Sequence, residues 1–213
     1  MIYLDNNATT APLPEVVEAV TDALRSNWGN PSSAHACGRR AREALETSRN
    51  SVAAVFGAES PSCITFTSSG TESINLAFVC LLNPEVNRVL VASTEHSAVL
   101  HAAERWAEGR PIVSVPVNSD GILNLTFLEA ELAKTGRALV CAAYANNETG
   151  VVTDLSSIAS LCLKHNALLH VDAVQAAGKL AFFLANLQCD AASLSAHKFH
   201  GPPGCGILYL KSL

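Results

Sequence analysis

Short runs of β-branched and apolar residues alternate along this chain with longer amphipathic stretches, and that rhythm restricts the fold more than any other feature. The runs at Cys63–Thr67, Arg88–Ser93, Ile112–Val115, Arg137–Ala143, Ala167–Val171, Ala191–Ser195 and Gly206–Leu210 read as strands. Between them, helices are expected from Pro14 toward Gly29-Asn30-Pro31, over 34–56 with Gly57 as C-cap, from Ser69-Gly70 to about Leu82, over Ala98–Trp106, and over 155–165 behind an Asp154 N-cap. Thr126 and Glu129 have capping-box spacing and mark one more helix start. A chain of this kind builds a mostly parallel sheet with helices on both faces. No repeat, low-complexity linker or charge block divides the 213 residues, so 1–213 is expected to be one domain.

Composition supports buried strands. Hydrophobic residues make up 49% and charged residues 15%, against about 25% charged in an average soluble chain. That excludes disorder. Every apolar run is interrupted well before the ~20 residues of a spanning helix, so no membrane segment is expected. The surplus is explained by strands covered on both faces, or by surface that belongs to an interface or to a part of the domain outside this chain. With 14 basic and 19 acidic residues the net charge is −5, which argues against a nucleic-acid or anionic-membrane partner. The start carries no basic n-region and meets Asp5 at once, so no secretory signal is read and a cytoplasmic protein is expected. Seven cysteines without a C-x-x-C pair fit neither a disulfide framework nor a zinc site, and most should be small buried hydrophobes.

In an open α/β sheet, ligands sit beyond the carboxyl ends of the strands. Five such places carry polar residues. Thr67-Ser68-Ser69-Gly70-Thr71-Glu72 offers free amides, hydroxyls and a helix start that suit a phosphate, or it is an ordinary Ser/Thr cap. Thr94-Glu95-His96 and Asn146-Asn147-Glu148-Thr149-Gly150 are, alone, an exposed histidine and a turn former. Asp172, with Gln175 three residues on, either pairs with a cationic ring nitrogen or caps a short helix. Lys198 stands between His197 and His200 at a strand end, with a Gly/Pro loop behind it. A lysine, an acid and a phosphate cradle at neighbouring strand ends are what a pyridoxal phosphate (PLP) enzyme requires: an amine for the Schiff base, an acid to keep the ring nitrogen protonated, and a cradle for the phosphate. No G-x-G-x-x-G follows a strand and no G-x-x-x-x-G-K-[ST] occurs, so a dinucleotide- or nucleotide-binding module is set aside.

The segments Tyr3–Thr10, Gly29–Ser33, Phe66–Ser73, Thr94–Val99, Ala145–Val151, His170–Ala176 and Ser195–Lys198, in that order, closely resemble the NifS/IscS group of cysteine desulfurases. These are class V aminotransferase-like proteins among the fold type I PLP enzymes. The resemblance implies the large PLP-binding domain of that fold. Lys198 would be the Schiff-base lysine, Asp172 the partner of the pyridine nitrogen, Gln175 the partner of the phenolic oxygen, and His96 the ring-stacking, proton-moving group. Gly70, Thr71, Ser195 and His197 would bind the phosphate, and Asn147 would lie beside the cofactor oxygen and the substrate carboxylate. The implied reaction takes sulfur from L-cysteine to give alanine and a protein persulfide, which feeds iron–sulfur cluster assembly or other sulfur metabolism through an acceptor or scaffold protein. A homodimer is implied for the complete protein.

The likeness covers roughly the first half of a family chain. The persulfide cysteine, an arginine for the substrate carboxylate, the phosphate ligand lent by the partner subunit and the small C-terminal domain would all lie beyond Leu213. The 213-residue chain alone is therefore expected to bind PLP but be inactive in sulfur release, its cysteines buried as Cys80, Cys141 and Cys162 are by their apolar neighbours, and Cys205 serving packing. Selenocysteine lyases and some class V transaminases share these motifs, and a non-catalytic PLP-binding fragment is the reading of another class.

Overall fold

The computed structural model describes residues 2–211. Its strands are β1 (Ile64–Thr67), β2 (Val86–Ala92), β3 (Ile112–Val115), β4 (Arg137–Ala143), β5 (Leu168–Asp172), β6 (Ala191–Ser195) and β7 (Gly206–Leu210). They form one sheet in the order β1-β7-β6-β5-β4-β2-β3. Every pairing from β6 to β3 is parallel; β7 alone runs antiparallel, to both β1 and β6. The expected mostly parallel α/β architecture is the one found.

The helices are α1 (Pro14–Ser26), α2 (Ala36–Phe56), α3 (Gly70–Leu81), α4 (Ser97–Trp106), α5 (Leu125–Leu132) and α6 (Leu155–Lys164). Because successive strand residues point to opposite faces, β4 sends Leu139 and Cys141 toward α3 and α4, where they pack with Phe78 and Val99. Val140 and Ala142 face the other way, onto Leu128 of α5 and Ile158 of α6. Both faces are covered, which accounts for the near-continuous apolar strands.

Several boundaries differ from the sequence reading. Cys63 closes a 3₁₀ turn rather than opening β1. α1 stops at Ser26, short of the Gly-Asn-Pro break. α5 is capped by Asn124, whose side chain accepts from the Phe127 N–H at 2.9 Å, so Thr126 lies inside the first turn; Asn is the better cap of the two. Asp154 does cap α6, accepting from Ser157 N at 3.2 Å. Gly57, at φ 60°, closes α2 in the left-handed region as a C-cap glycine does. α1 buries none of its residues, and Leu13, Val17, Leu24 and Trp28 are exposed there.

Candidate active site

With β7 reversed between them, β1 and β6 run the same way, so β1, β2, β4, β5 and β6 all end at one edge of the sheet. The loops beyond those ends enclose a cavity of about 430 Å³. Gly70, Thr71, His96, Asn147, Asp172, Gln175, Ser195, His197 and Lys198 all line it. Residues spread over almost 130 positions thus converge because each follows a strand of one sheet.

At the β1 end, Ser69 caps α3 through its hydroxyl, which accepts from Glu72 N at 3.1 Å. The Glu72 carboxylate turns back to the Ser68 amide at 2.6 Å and hydroxyl at 2.5 Å, which lowers its pKa. Reciprocal capping fixes the entry to the helix. The amides of Gly70 and Thr71 open the first turn, where no intrahelical acceptor exists. Gly70 has to be small: a Cβ there would stand 3.0 Å from Val174 Cγ2 and 3.2 Å from Ser195 Cβ. Ser195, buried at the end of β6, and His197, on the 3₁₀ turn Ala196–Lys198, face the same start of α3 across the cavity.

Asp172 ends β5 and is buried, with the Val174 N–H donating to Oδ1 at 2.9 Å. Burial raises its pKa, opposed by that hydrogen bond and by the electrostatic effect of His96 and Lys198. Behind it Glu95 is also buried, and it accepts from the Ala143 N–H. His96 is the N-cap of α4, its Nδ1 accepting from Ala98 N at 3.1 Å, and its ring is exposed toward the cavity. Lys198 donates from Nζ to the carbonyls of Asn7 at 2.7 Å and Ala8 at 2.8 Å. Burial first, and then the neighbouring Lys179 charge, lower its pKa, while Asp172 and Asp5 oppose that shift. An amine with a lowered pKa is free base more often at neutral pH and is the better nucleophile.

Sequence reasoning gave no role to the segment Asp5–Thr10, although it lies across the cavity mouth. Asn7 accepts from Gln175 Nε2 at 2.9 Å and donates from Nδ2 to the Asn147 carbonyl at 2.9 Å. Its side chain also accepts from Lys179 Nζ at 3.1 Å. Thr10 donates from its hydroxyl to the His197 carbonyl at 2.9 Å and accepts from the His200 amide at 2.6 Å. Lys179 donates to Gln175 as well, placing a second amine beside Lys198. The signal was the run of short polar residues Asp5, Asn6 and Asn7, which suits a turn crossing other loops.

Cys63, Cys141, Cys162 and Cys189 are buried, as expected, and burial pushes the Cys162 and Cys189 thiols up to about 12. Cys80 is exposed, against expectation. The buried face of α3 runs through Ile74, Ala77, Phe78 and Leu81, and helical spacing turns position 80 outward despite its apolar sequence neighbours. None of the seven cysteines lines the cavity. Among the described residues no His/Cys/Asp/Glu group is arranged to hold a metal, and no helix is long and apolar enough to cross a membrane. A larger hollow of about 1100 Å³ opens between Phe56, Tyr144, Phe182 and Phe199, but Asp154, already engaged as the α6 cap, is its sole charged lining residue.

Residues 2–213 match the Aminotransferase class-V family. The chain is 42% identical over 214 residues to a cysteine desulfurase of Cereibacter sphaeroides, covering 99% of this chain and 55% of that protein. It is 43% identical over 211 residues to a cysteine desulfurase of Klebsiella pneumoniae, covering 99% and 53%. Among solved structures, a NifS-like protein superposes with a TM-score of 0.92 at 40% identity, over 99% of this chain and 59% of that one. The apo cysteine desulfurase of Thermococcus onnurineus NA1 superposes at 0.89 with 28% identity, over 99% and 54%. The chain spans about half the length of the curated relatives it matches.

Proposed function

This chain belongs to the class V aminotransferase family, a PLP-dependent family, and from that premise we propose that it is the cofactor-binding portion of a cysteine desulfurase. The observation that carries the reading is the pairing, in one cavity, of a buried acid at a strand end with a lysine of lowered pKa, Asp172 and Lys198.

PLP fits the donors present. A buried carboxylate without a paired cation is costly, and a cationic ring nitrogen would relieve Asp172. The amides opening α3, the small Gly70, and the Ser195 and His197 side chains form a cradle that suits a phosphate dianion at a helix N-terminus. Lys198 would hold the cofactor covalently, Gln175 would face its phenolic oxygen, His96 its ring, and Asn147 the same oxygen and the substrate carboxylate. When bound, PLP supplies an electron sink for the α-carbon of an amino acid. The chain's own work would be orientation and proton handling: Asp172 would hold a proton on the ring nitrogen, and Lys198 and His96, which line the same cavity, would take a proton from the substrate or return it.

L-cysteine as substrate is taken from the relatives' names, and alanine is the product that removal of its sulfur would leave. A sulfur acceptor or iron–sulfur scaffold is the partner we propose on the family resemblance. Since no cysteine of this chain lines the cavity, the chain by itself is expected to bind PLP without releasing sulfide. A second copy of the protein is our reading of what meets the exposed face of α1.

The test is to add PLP to the purified chain, reduce with borohydride and map the pyridoxyl group. Label on Lys198 supports the assignment. Label on Lys179 or Lys211 instead, or none at all, overturns it. Sulfide release from cysteine at the rate of a complete desulfurase would show that the accepting thiol is within these residues.

A further inference from the structure

Glu95 is a buried carboxyl that the reading above does not use. It follows β2, is 7% exposed, and stands one layer behind the cavity wall. One oxygen accepts from the Ala143 N–H, and the other, Oε2, is buried without a hydrogen-bond partner. Ala143 is the register neighbour of Asp172 on β5, so the hydrogen bond brings Glu95 to the acid that would face the cofactor.

The groups around Glu95 supply no counter-charge. From β5 it meets Asp172, whose charge disfavours ionisation of Glu95. From β4 it meets the buried Cys141 thiol, whose pKa is pushed further up by Glu95. The hollow of about 20 Å³ on its other side is lined by Thr94, Asn146, Thr153 and apolar residues, with no basic side chain. The nitrogen-bearing side chains nearby, His96 and Lys198, act on Asp172. No ion pair among the described residues involves Glu95.

We propose that Glu95 is a positioning residue that works as a neutral acid behind Asp172, so that the pair presents a single negative charge, that of Asp172, to the cofactor's ring nitrogen. This rests on the PLP reading above. Two adjacent buried carboxylates cannot both ionise at moderate cost. Asp172 has a backbone donor and lies where His96 and Lys198 favour its ionised form; Glu95 has the backbone donor only, so the proton stays on Glu95. Burial and Asp172 hold its pKa up at about 8. Its amide-side oxygen meanwhile ties the end of β4 to the end of β2, which keeps Asp172 in register.

The experiment compares the parent chain with Glu95→Gln, a neutral isostere, in two measurements. In the first, without cofactor, denaturant unfolding is followed from pH 5 to pH 9. The parent keeps a proton on Glu95 that the unfolded chain releases above about pH 4.5, so its folding equilibrium should weaken with rising pH relative to Glu95→Gln. The expected change is up to tenfold per pH unit until about pH 8. A parent–variant difference that does not change with pH overturns the proposal. In the second, PLP affinity is measured by titration at pH 7, with Asp172→Asn as reference. Glu95→Gln should bind within twofold of the parent, and Asp172→Asn at least tenfold more weakly. A Glu95→Gln chain that fails to fold, or that binds as weakly as Asp172→Asn, overturns the neutral-acid assignment. A parent that binds no PLP overturns the cofactor reading, and this shows in the parent alone, whereas failure of the Glu95 assignment shows in the parent–variant difference.

Discussion

A methyl added at Gly206 should damage the phosphate cradle from behind, because its nearest contacts are Ser69 and Thr67 rather than the Gly70 and Thr71 amides. Gly206 opens β7 and is paired on both sides, with Thr67 of β1 and Ser195 of β6. A Cβ there would stand 2.5 Å from Thr67 Oγ1 and closer still to the Ser69 carbonyl carbon and oxygen. Ordinary contact begins at 3.4 Å, so these neighbours must open by roughly 1 Å. β7 is held in two ladders and cannot recede, whereas Ser69 belongs to a short loop. The displacement therefore falls on the α3 cap and the Gly70 and Thr71 amides behind it. Overpacking of this kind costs about 1–3 kcal/mol, which in a domain of this size lowers Tm by about 2–4 °C per kcal/mol. Loss of cradle alignment should weaken PLP at least tenfold, equivalent to about 1.4 kcal/mol. The assay is PLP titration of Gly206→Ala beside the parent, with pyridoxal, which lacks the phosphate, as the control ligand. Pyridoxal affinity should change less than twofold. A Gly206→Ala chain that binds PLP as the parent does, or that loses PLP and pyridoxal equally, refutes the reasoning.

Other tests address the acid and the buried histidine. Asp172→Ala should raise the PLP dissociation constant at least tenfold. Asp154→Ala should leave it unchanged and cost about 1 kcal/mol of stability as a lost cap; equal effects on PLP binding would remove Asp172 from beneath the ring. His170 is fully buried on β5, bonded to Ser193 Oγ at 2.9 Å, and burial lowers its pKa to about 4. The unfolded chain takes up a proton near pH 6.5 that the folded chain refuses until about pH 4, so stability should fall as pH drops through that window. The limit is roughly 3 kcal/mol. Urea unfolding at pH 7 and pH 4.5 should show a shallower loss in His170→Gln, and an identical loss would count against a neutral buried imidazole.

The parts of the fold that follow from local chemistry were legible in the sequence. Every strand was found within two residues, because each is a compact apolar run between polar punctuation. Convergence of the nine candidate residues on one cavity follows from one rule, that loops beyond parallel strand ends share an edge. What was not legible depends on partners distant in sequence. Nothing near Asp5–Thr10 shows that the segment crosses the cavity, since its partners are residues 147, 175 and 197–200. The reversal of β7 is invisible in a run as apolar as its parallel neighbours. Cys80 was misjudged because sequence neighbours were taken for spatial ones on a helix. Glu95 was passed over because a lone acid beside a histidine carries no sign of burial.

The hydrogen bonds from Lys198 Nζ to Asn7 and Ala8 span 191 and 190 positions, and they set a schedule for synthesis. A ribosome adding about 5–20 residues per second needs roughly 10–40 s to travel from Asn7 to Lys198. For most of that interval the N-terminal segment has been made and waits for its partners, Asn147 first, then Gln175 and Lys179, and Lys198 last. Nor can the cradle settle until Gly206 slides between Thr67 and Ser195. The cavity thus closes only after the N-terminal segment has met β6, β7 and the turn between them, so a cofactor held there cannot template the folding of the strands made before them.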